Sequence, residues 1–259
     1  MPEWIAVICL GIIEGVTEFL PVSSTGHLLL AEHWLPRQSD LFNTVIQSGA
    51  VLAVIAVFWG RLQQLLFKWR DPATRDYLLK LTTAFVITGI GGLILKKLHF
   101  KLPETVTPVA SATLIGGVLF LVVEQWLRNR ALSDQLTWRI AIAVGLAQLL
   151  AAVFPGTSRS GVTILAALVL GLNRSAATEF SFLLGIPTLL AASGLQTVSA
   201  LRHSAGETID WPMLLLGSIV AAVTAFAVVK WLLRFVQSHT FVGFAWYRIG
   251  LGILMLVLM

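Results

Sequence analysis

The chain has 259 residues, of which 57% are hydrophobic and 12% charged, with a mean hydropathy of +0.85. A soluble domain carries about 25% charged residues to cover its surface, so a soluble enzyme or a nucleic-acid-binding module is excluded, although 18 Lys and Arg outnumber 13 Asp and Glu. The 9 Trp and 14 Phe suit interfacial and lipid-facing positions, and the single cysteine, Cys9, excludes an internal disulfide or a cysteine metal cluster.

In chain order, the N-terminal stretch has neither a basic region ahead of its apolar run nor a small-residue cleavage site, so no removable signal peptide is expected. Residues 4–34 are apolar but interrupted by Pro21-Val22-Ser23-Ser24-Thr25-Gly26. Uninterrupted spans follow at roughly 41–60, 78–97 and 107–127. Residues 138–171 are broken in the same manner by Pro155-Gly156-Thr157-Ser158-Arg159-Ser160-Gly161, and spans at 176–200, 212–234 and 242–258 complete the chain. About 20 apolar residues cross the roughly 30 Å of a bilayer's hydrocarbon. Each half of a broken stretch is too short for that, and Pro and Gly interrupt the helix between the halves. Both stretches read as re-entrant helix–loop–helix hairpins, the alternative being one kinked span each.

The expected fold is therefore an all-α polytopic membrane protein. One integral membrane domain, residues 1–259, has six transmembrane helices and two re-entrant hairpins, 4–34 and 138–171. With both hairpins re-entrant, the termini and the loops near residues 37, 99 and 205 share a face. That face holds five basic residues, Arg37, Lys96, Lys97, Lys101 and Arg202, against eleven on the other. Basic loops mark the cytoplasm, so both termini are expected outside it.

The two hairpins resemble each other. Gly11, Pro21 and Ser24 recur 134 residues later as Gly145, Pro155 and Ser158, with Glu14 answered by Gln148 and Ser23 by Thr157. Entry from opposite sides makes this an inverted-topology repeat, about 1–127 and 138–259, and interrupted segments at matching places point to a site near the midplane.

The first break is rich in chemistry. Glu14 and Glu18 lie four residues apart and so share a helix face. Two carboxylates in an apolar setting bind a cation, share a proton or face basic groups. The hydroxyls of Ser23, Ser24 and Thr25 follow, where a half-helix N-terminus offers free amides to an anion, and His27 lies in its first turn. The second break supplies the opposite charge. Arg159 sits among Thr157, Ser158, Ser160, Gly161 and Thr163, and an arginine fork matches phosphate oxygens bidentately. Carboxylates and histidine facing a phosphate clamp suit phosphoryl transfer. Attack by Ser24, by His27 or by water stays open. Glu179 reads as a residue that orients Arg159 or sits at the interface, and Arg248, after Trp246 and Tyr247, as an interfacial anchor. A rival class is a secondary transporter or lipid flippase, whose architecture also uses inverted repeats and discontinuous helices.

The segment Glu14 to His27, EGVTEFLPVSSTGH, resembles the first signature of the bacterial undecaprenyl-diphosphate phosphatase family linked to bacitracin resistance. Pro155 to Thr163, PGTSRSGVT, resembles its second, and Thr178 to Leu184, TEFSFLL, also fits. The resemblance runs through nearly the whole chain. It implies a cytoplasmic-membrane enzyme that hydrolyses undecaprenyl diphosphate to the monophosphate and inorganic phosphate, with a site open to the periplasm. It also implies a divalent cation (Mg or Ca), a prenyl diphosphate lipid as partner, and essential roles for Glu18, Ser24, His27 and Arg159. Together with the residue chemistry, Glu14 and Glu18 are expected to hold the cation. Ser23, Thr25, Thr157, Ser158, Ser160, Gly161, Thr163 and Glu179 are expected to line the substrate.

Overall fold

A computed structural model describes residues 2–98, 100, 105–203 and 210–258. Lys101 and the side chain of Arg202, both used in the charge comparison, lie outside the described set, as do the loops near 99 and 205. The described residues form helices and no strand; the one sheet-like contact is an isolated bridge between Ser133 and Leu172. The helices are α1 (Glu3–Thr17), α2 (Ser24–Ala31), α3 (Asp40–Val57), α4 (Trp59–Phe67), α5 (Pro72–Lys97) and α6 (Val106–Leu127). Then come α7 (Trp138–Val153), α8 (Arg159–Val169), α9 (Arg174–His203), α10 (Trp211–Phe235) and α11 (Val242–Leu258).

Four of these, α5, α6, α9 and α10, are long and apolar enough to cross a membrane, and α3 with α4 makes a fifth if that pair is one span. The first predicted span thus ends early. It breaks at Phe58, and α4 turns 76° away, carrying Arg61 with it. The outer surface is the reverse of a soluble protein's. Leu52, Leu66, Ile90, Ile115, Leu215 and Val223 are all more than half exposed, and all nine tryptophans lie on the outside. Apolar surface on this scale is stable only against lipid.

Between helices, where lipid offers no water-exclusion force, small residues bring backbones together. A Cβ on Gly11 would meet the Gly217 carbonyl of α10 at 2.8 Å, and one on Gly15 the Ala221 carbonyl at 2.5 Å. In the second half, Gly145 of α7 sits against Ala84 of α5 in the same way, at 2.8 Å. Gly91 packs on Leu149, whereas Gly89 and Gly92 face open space.

Both predicted breaks exist. α1 stops at Thr17 and α7 at Val153, and α2 and α8 restart at Ser24 and Arg159. Each restart is capped by a serine at positive φ. Ser23 (φ 74°) accepts from Gly26 N at 3.2 Å, and Ser158 (φ 69°) from Gly161 N at 3.1 Å. Those caps correct the register of the repeat. Ser158 answers Ser23, not Ser24, because the second break is one residue longer after its proline. Gly156 (φ 93°) absorbs the difference. It lies so close to Val109 that a Cβ would stand 2.3 Å from the Val109 carbonyl oxygen, a position only glycine fills.

Arg248 overturns another expectation. Instead of anchoring at an interface it is fully buried, on α11, and donates to five backbone carbonyls. These are Thr113 (3.1 Å) and Ala112 (3.4 Å) of α6, Pro21 (3.0 Å) of the first break, and Gly156 (3.3 Å) and Thr157 (2.9 Å) of the second. Pro21, Gly156 and Thr157 lie in irregular backbone, whose buried carbonyls no helix satisfies. One guanidinium serves both breaks, and Gly116 makes room for it, since a Cβ there would meet Arg248 Nη2 at 2.0 Å.

Candidate active site

The two breaks meet at Glu18. As the last residue of the α1 turn, its amide bonds to the Glu14 carbonyl at 2.9 Å, and its carboxylate is buried. Ser24 donates its hydroxyl to Glu18 Oε2 at 2.7 Å. Arg159 Nη2 approaches Glu18 Oε1 at 3.4 Å. A carboxylate accepting from a serine hydroxyl within 2.6–3.2 Å has the geometry of a general base on a nucleophile.

Arg159 is held on three sides. Nη1 donates to the Ser181 carbonyl at 3.4 Å, the guanidinium carbon lies 5.5 Å from the centre of the Phe19 ring, and Phe19 packs edge-on against Phe182. Gly185 of α9 leaves the space, because a Cβ there would stand 2.6 Å from Nη1. Arg159 Nε is buried without a partner, so the fork still has a donor to give. Ser181 and Gly185 were not singled out in the sequence, although TEFSFLL contains the first and ends beside the second.

Glu14 is fully buried, near enough to Glu18 for the charges to repel, and neither of its carboxylate oxygens has a hydrogen-bond partner. An unpaired buried carboxylate is costly, and a cation or a shared proton would complete it. Oxygen donors on adjacent turns fit a hard divalent cation that keeps water and phosphate oxygens as its other ligands. Among the described residues no group of three His, Cys, Asp or Glu side chains gathers at one point, so Glu14 and Glu18 are the carboxylates available.

His27 stands apart from Ser24 in its bonding. Its Nδ1 lies 2.7 Å from the Ser23 carbonyl oxygen and its Nε2 2.7 Å from Tyr247 Oη. The remaining predicted residues divide. Ser160 donates to the Leu20 carbonyl at 3.0 Å, so its hydroxyl ties one break to the other. Thr163 is spent on the Arg159 and Ser160 carbonyls and on Ser181 Oγ. Thr157 bonds to the Phe154 carbonyl, Gly161 receives the Ser158 cap and packs on Arg248, and Thr25 is exposed. Glu179 does not join the group. It pairs with Arg61 at 3.1 Å and lines a separate cavity of 580 Å³ with Tyr77, Lys80 and Asp76. The bend after Phe58 puts Arg61 there, so of the two readings of Glu179, orienting Arg159 or sitting at the interface, the first is replaced by this pair.

Two helix breaks that converge on a buried carboxylate, a serine and an arginine define a helical membrane protein with its candidate site between the breaks. The chain belongs to the bacitracin resistance protein BacA family, whose profile matches residues 7–254. Among its curated relatives, the undecaprenyl-diphosphatase of Rhizobium etli (strain CIAT 652) is 51% identical over 98% of this chain and 96% of the relative. That of Xylella fastidiosa (strain 9a5c) is 49% identical, covering 99% and 98%. That of Xanthomonas axonopodis pv. citri (strain 306) is 49% identical, covering 99% and 97%.

Proposed function

We propose that the chain hydrolyses undecaprenyl diphosphate to undecaprenyl phosphate and inorganic phosphate, recycling the lipid carrier for cell-wall synthesis. The observation that carries the reading is Glu18 holding Ser24 on one oxygen and Arg159 on the other, within a family whose relatives bear that enzyme name.

In the reading, Ser24 Oγ attacks the terminal phosphorus while Glu18 takes its proton. The bond from that phosphorus to the bridging oxygen breaks, and the prenyl monophosphate leaves with the bond's electrons. Glu18 passes that proton to the departing monophosphate, then takes one from the water that attacks the phosphoserine and returns it to the Ser24 oxygen as inorganic phosphate is released. Arg159 trades part of its contact with Glu18 for the phosphoryl oxygens, where its Nε is already free to donate. The amides at the starts of α2 and α8 add neutral donors. Glu14 and Glu18 are the residues that would hold a divalent cation, which when bound neutralises diphosphate charge.

The same reading places the chain in the bacterial cytoplasmic membrane with six spans and two re-entrant hairpins in inverted repeat, the site open to the periplasm. Supporting it are the paired α1–α10 and α7–α5 contacts, the matching serine caps and the basic bias of the loops near residues 70, 133, 173 and 237. The direct test is phosphate release from undecaprenyl diphosphate by the purified chain in detergent. Turnover that Ser24→Ala abolishes while binding persists is the expected result. Intact protein that releases no phosphate would refute the reading in favour of a binding or transport role.

A further inference from the structure

Both ring nitrogens of His27 are bonded to groups other than Ser24. Because the Ser23 carbonyl can only accept, His27 Nδ1 carries the proton, and Nε2 accepts from the Tyr247 hydroxyl. The two ring planes are within 6° of parallel, stacked with their centres 5.6 Å apart. Together they form the polar rim of an open cavity of 430 Å³ between the end of α1, α10 and α11. Its walls are Leu20, Val22, Trp231, Phe235 and Phe244. Phe244 packs edge-on against Trp231 and Phe235, at 6.1 and 5.5 Å between ring centres, so the aromatic wall is built before anything occupies it. The other hydroxyl on the lining, Thr17, is already given to the Ile13 carbonyl.

We propose that this groove holds the isoprene units next to the diphosphate and so sets the direction in which the prenyl chain leaves the site. The inference rests on the phosphatase reading above. Ser24 and His27 are three residues apart on α2, so they lie one turn apart on the same face. A diphosphate against Ser24 and Glu18 therefore has its first apolar carbons at the groove's rim. The cavity's lining matches that occupant, apolar along its length and polar only where the phosphates would be. In lipid a chain gains little by exchanging acyl neighbours for an apolar wall. The groove's contribution is orientation: fixing the first isoprene units fixes where the terminal phosphorus sits against Ser24 Oγ.

The test uses two glycines of α11. Gly243 lines the groove, Gly250 lies two turns further on and is exposed, and neither has an atom within 4 Å of where a Cβ would stand. Gly243→Leu should lower kcat for farnesyl diphosphate about tenfold with KM within about twofold, while Gly250→Leu matches the parent. An unchanged kcat in Gly243→Leu, an equal fall in both variants, or a rise in KM alone overturns the inference. A farnesyl diphosphate analogue bearing a benzophenone near its first isoprene unit is the second measurement, on the unsubstituted chain. Crosslinks should fall on α10 and α11 around Trp231 and Phe244. Turnover with crosslinks elsewhere overturns the groove and leaves the phosphatase. Crosslinks there without turnover do the opposite.

Discussion

Ser24 and Arg159 occupy the same position in two turns of the same form. Each is the first helical residue after a serine cap at positive φ, and each reaches a different oxygen of Glu18. The two halves of the chain have thus placed a serine hydroxyl and a guanidinium at equivalent points around one carboxylate. Ser24→Ala is predicted to abolish phosphate release. Glu18→Gln, which can still accept from Ser24 but cannot take its proton, should lower kcat by about 10²–10⁴. Stopped-time phosphate assays with each variant check both. A Glu18→Gln variant with full kcat would move the base elsewhere.

The arginine's place depends on an absent side chain. A Cβ on Gly185 would press on Arg159 Nη1 at 2.6 Å, and the guanidinium is the far end of a flexible chain, so it would shift rather than prevent folding. Gly185→Ala is predicted to cost about tenfold in kcat/KM. Arg159→Lys, a point charge without the fork, should cost more, about 10²-fold or greater. Thermal midpoints close to the parent's in Gly185→Ala would locate that loss in the site and not in the fold.

Arg248 makes a prediction about stability instead. Removing its guanidinium takes the donor from the carbonyls of Pro21 and Thr157, while Gly156 keeps only the Thr113 hydroxyl at 3.1 Å. Each such orphan costs about 1–3 kcal/mol. Arg248→Met should lower the thermal midpoint in detergent by many degrees, and Gly116→Ala, which pushes on the same guanidinium, should do so less. The double variant should lose little more than Arg248→Met alone, because both lesions strike one network.

The parts of the fold legible in the sequence were those governed by composition and by helix breaking. Pro21 and Pro155 mark both interruptions, and the apolar runs that became α5, α6, α9 and α10 follow from hydropathy. What hydropathy does not encode is the partner of a lone polar residue in an apolar run. Arg248 beside Trp246 and Tyr247 has the sequence of an interfacial anchor, and only the carbonyls of two distant breaks make it a core residue. Glu179 and Arg61 are 118 residues apart, joined by a bend at Phe58 that no proline marks and that Gly60, two residues on, does not by itself announce. The serine register slipped for a related reason, since alignment on the prolines ignores that Gly156 adds a residue, while the caps at Ser23 and Ser158 are set by backbone conformation. Glu18, Ser24 and Arg159, which the structure brings together, stand out in the sequence because charge and hydroxyls in an apolar segment are costly wherever they point.

Glu14 supplies the last prediction. Its two oxygens are buried beside Glu18 without donors, so something outside the described side chains must complete it, and the choices are a divalent cation or a proton held between the carboxylates. They respond oppositely to chelation. With a cation, EDTA should abolish phosphate release and added Mg²⁺ or Ca²⁺ restore it, and Glu14→Gln should raise the metal concentration needed for half-maximal rate by about tenfold or more while leaving kcat at saturating metal nearer the parent's. With a shared proton, chelation changes nothing, and Glu14→Gln, which relieves the repulsion on Glu18, alters the pH profile alone. Two adjacent carboxylates beside the proposed diphosphate site favour the cation. Metal titration of the parent and Glu14→Gln in the same detergent separates the two, and full activity after exhaustive chelation would remove the cation from the site.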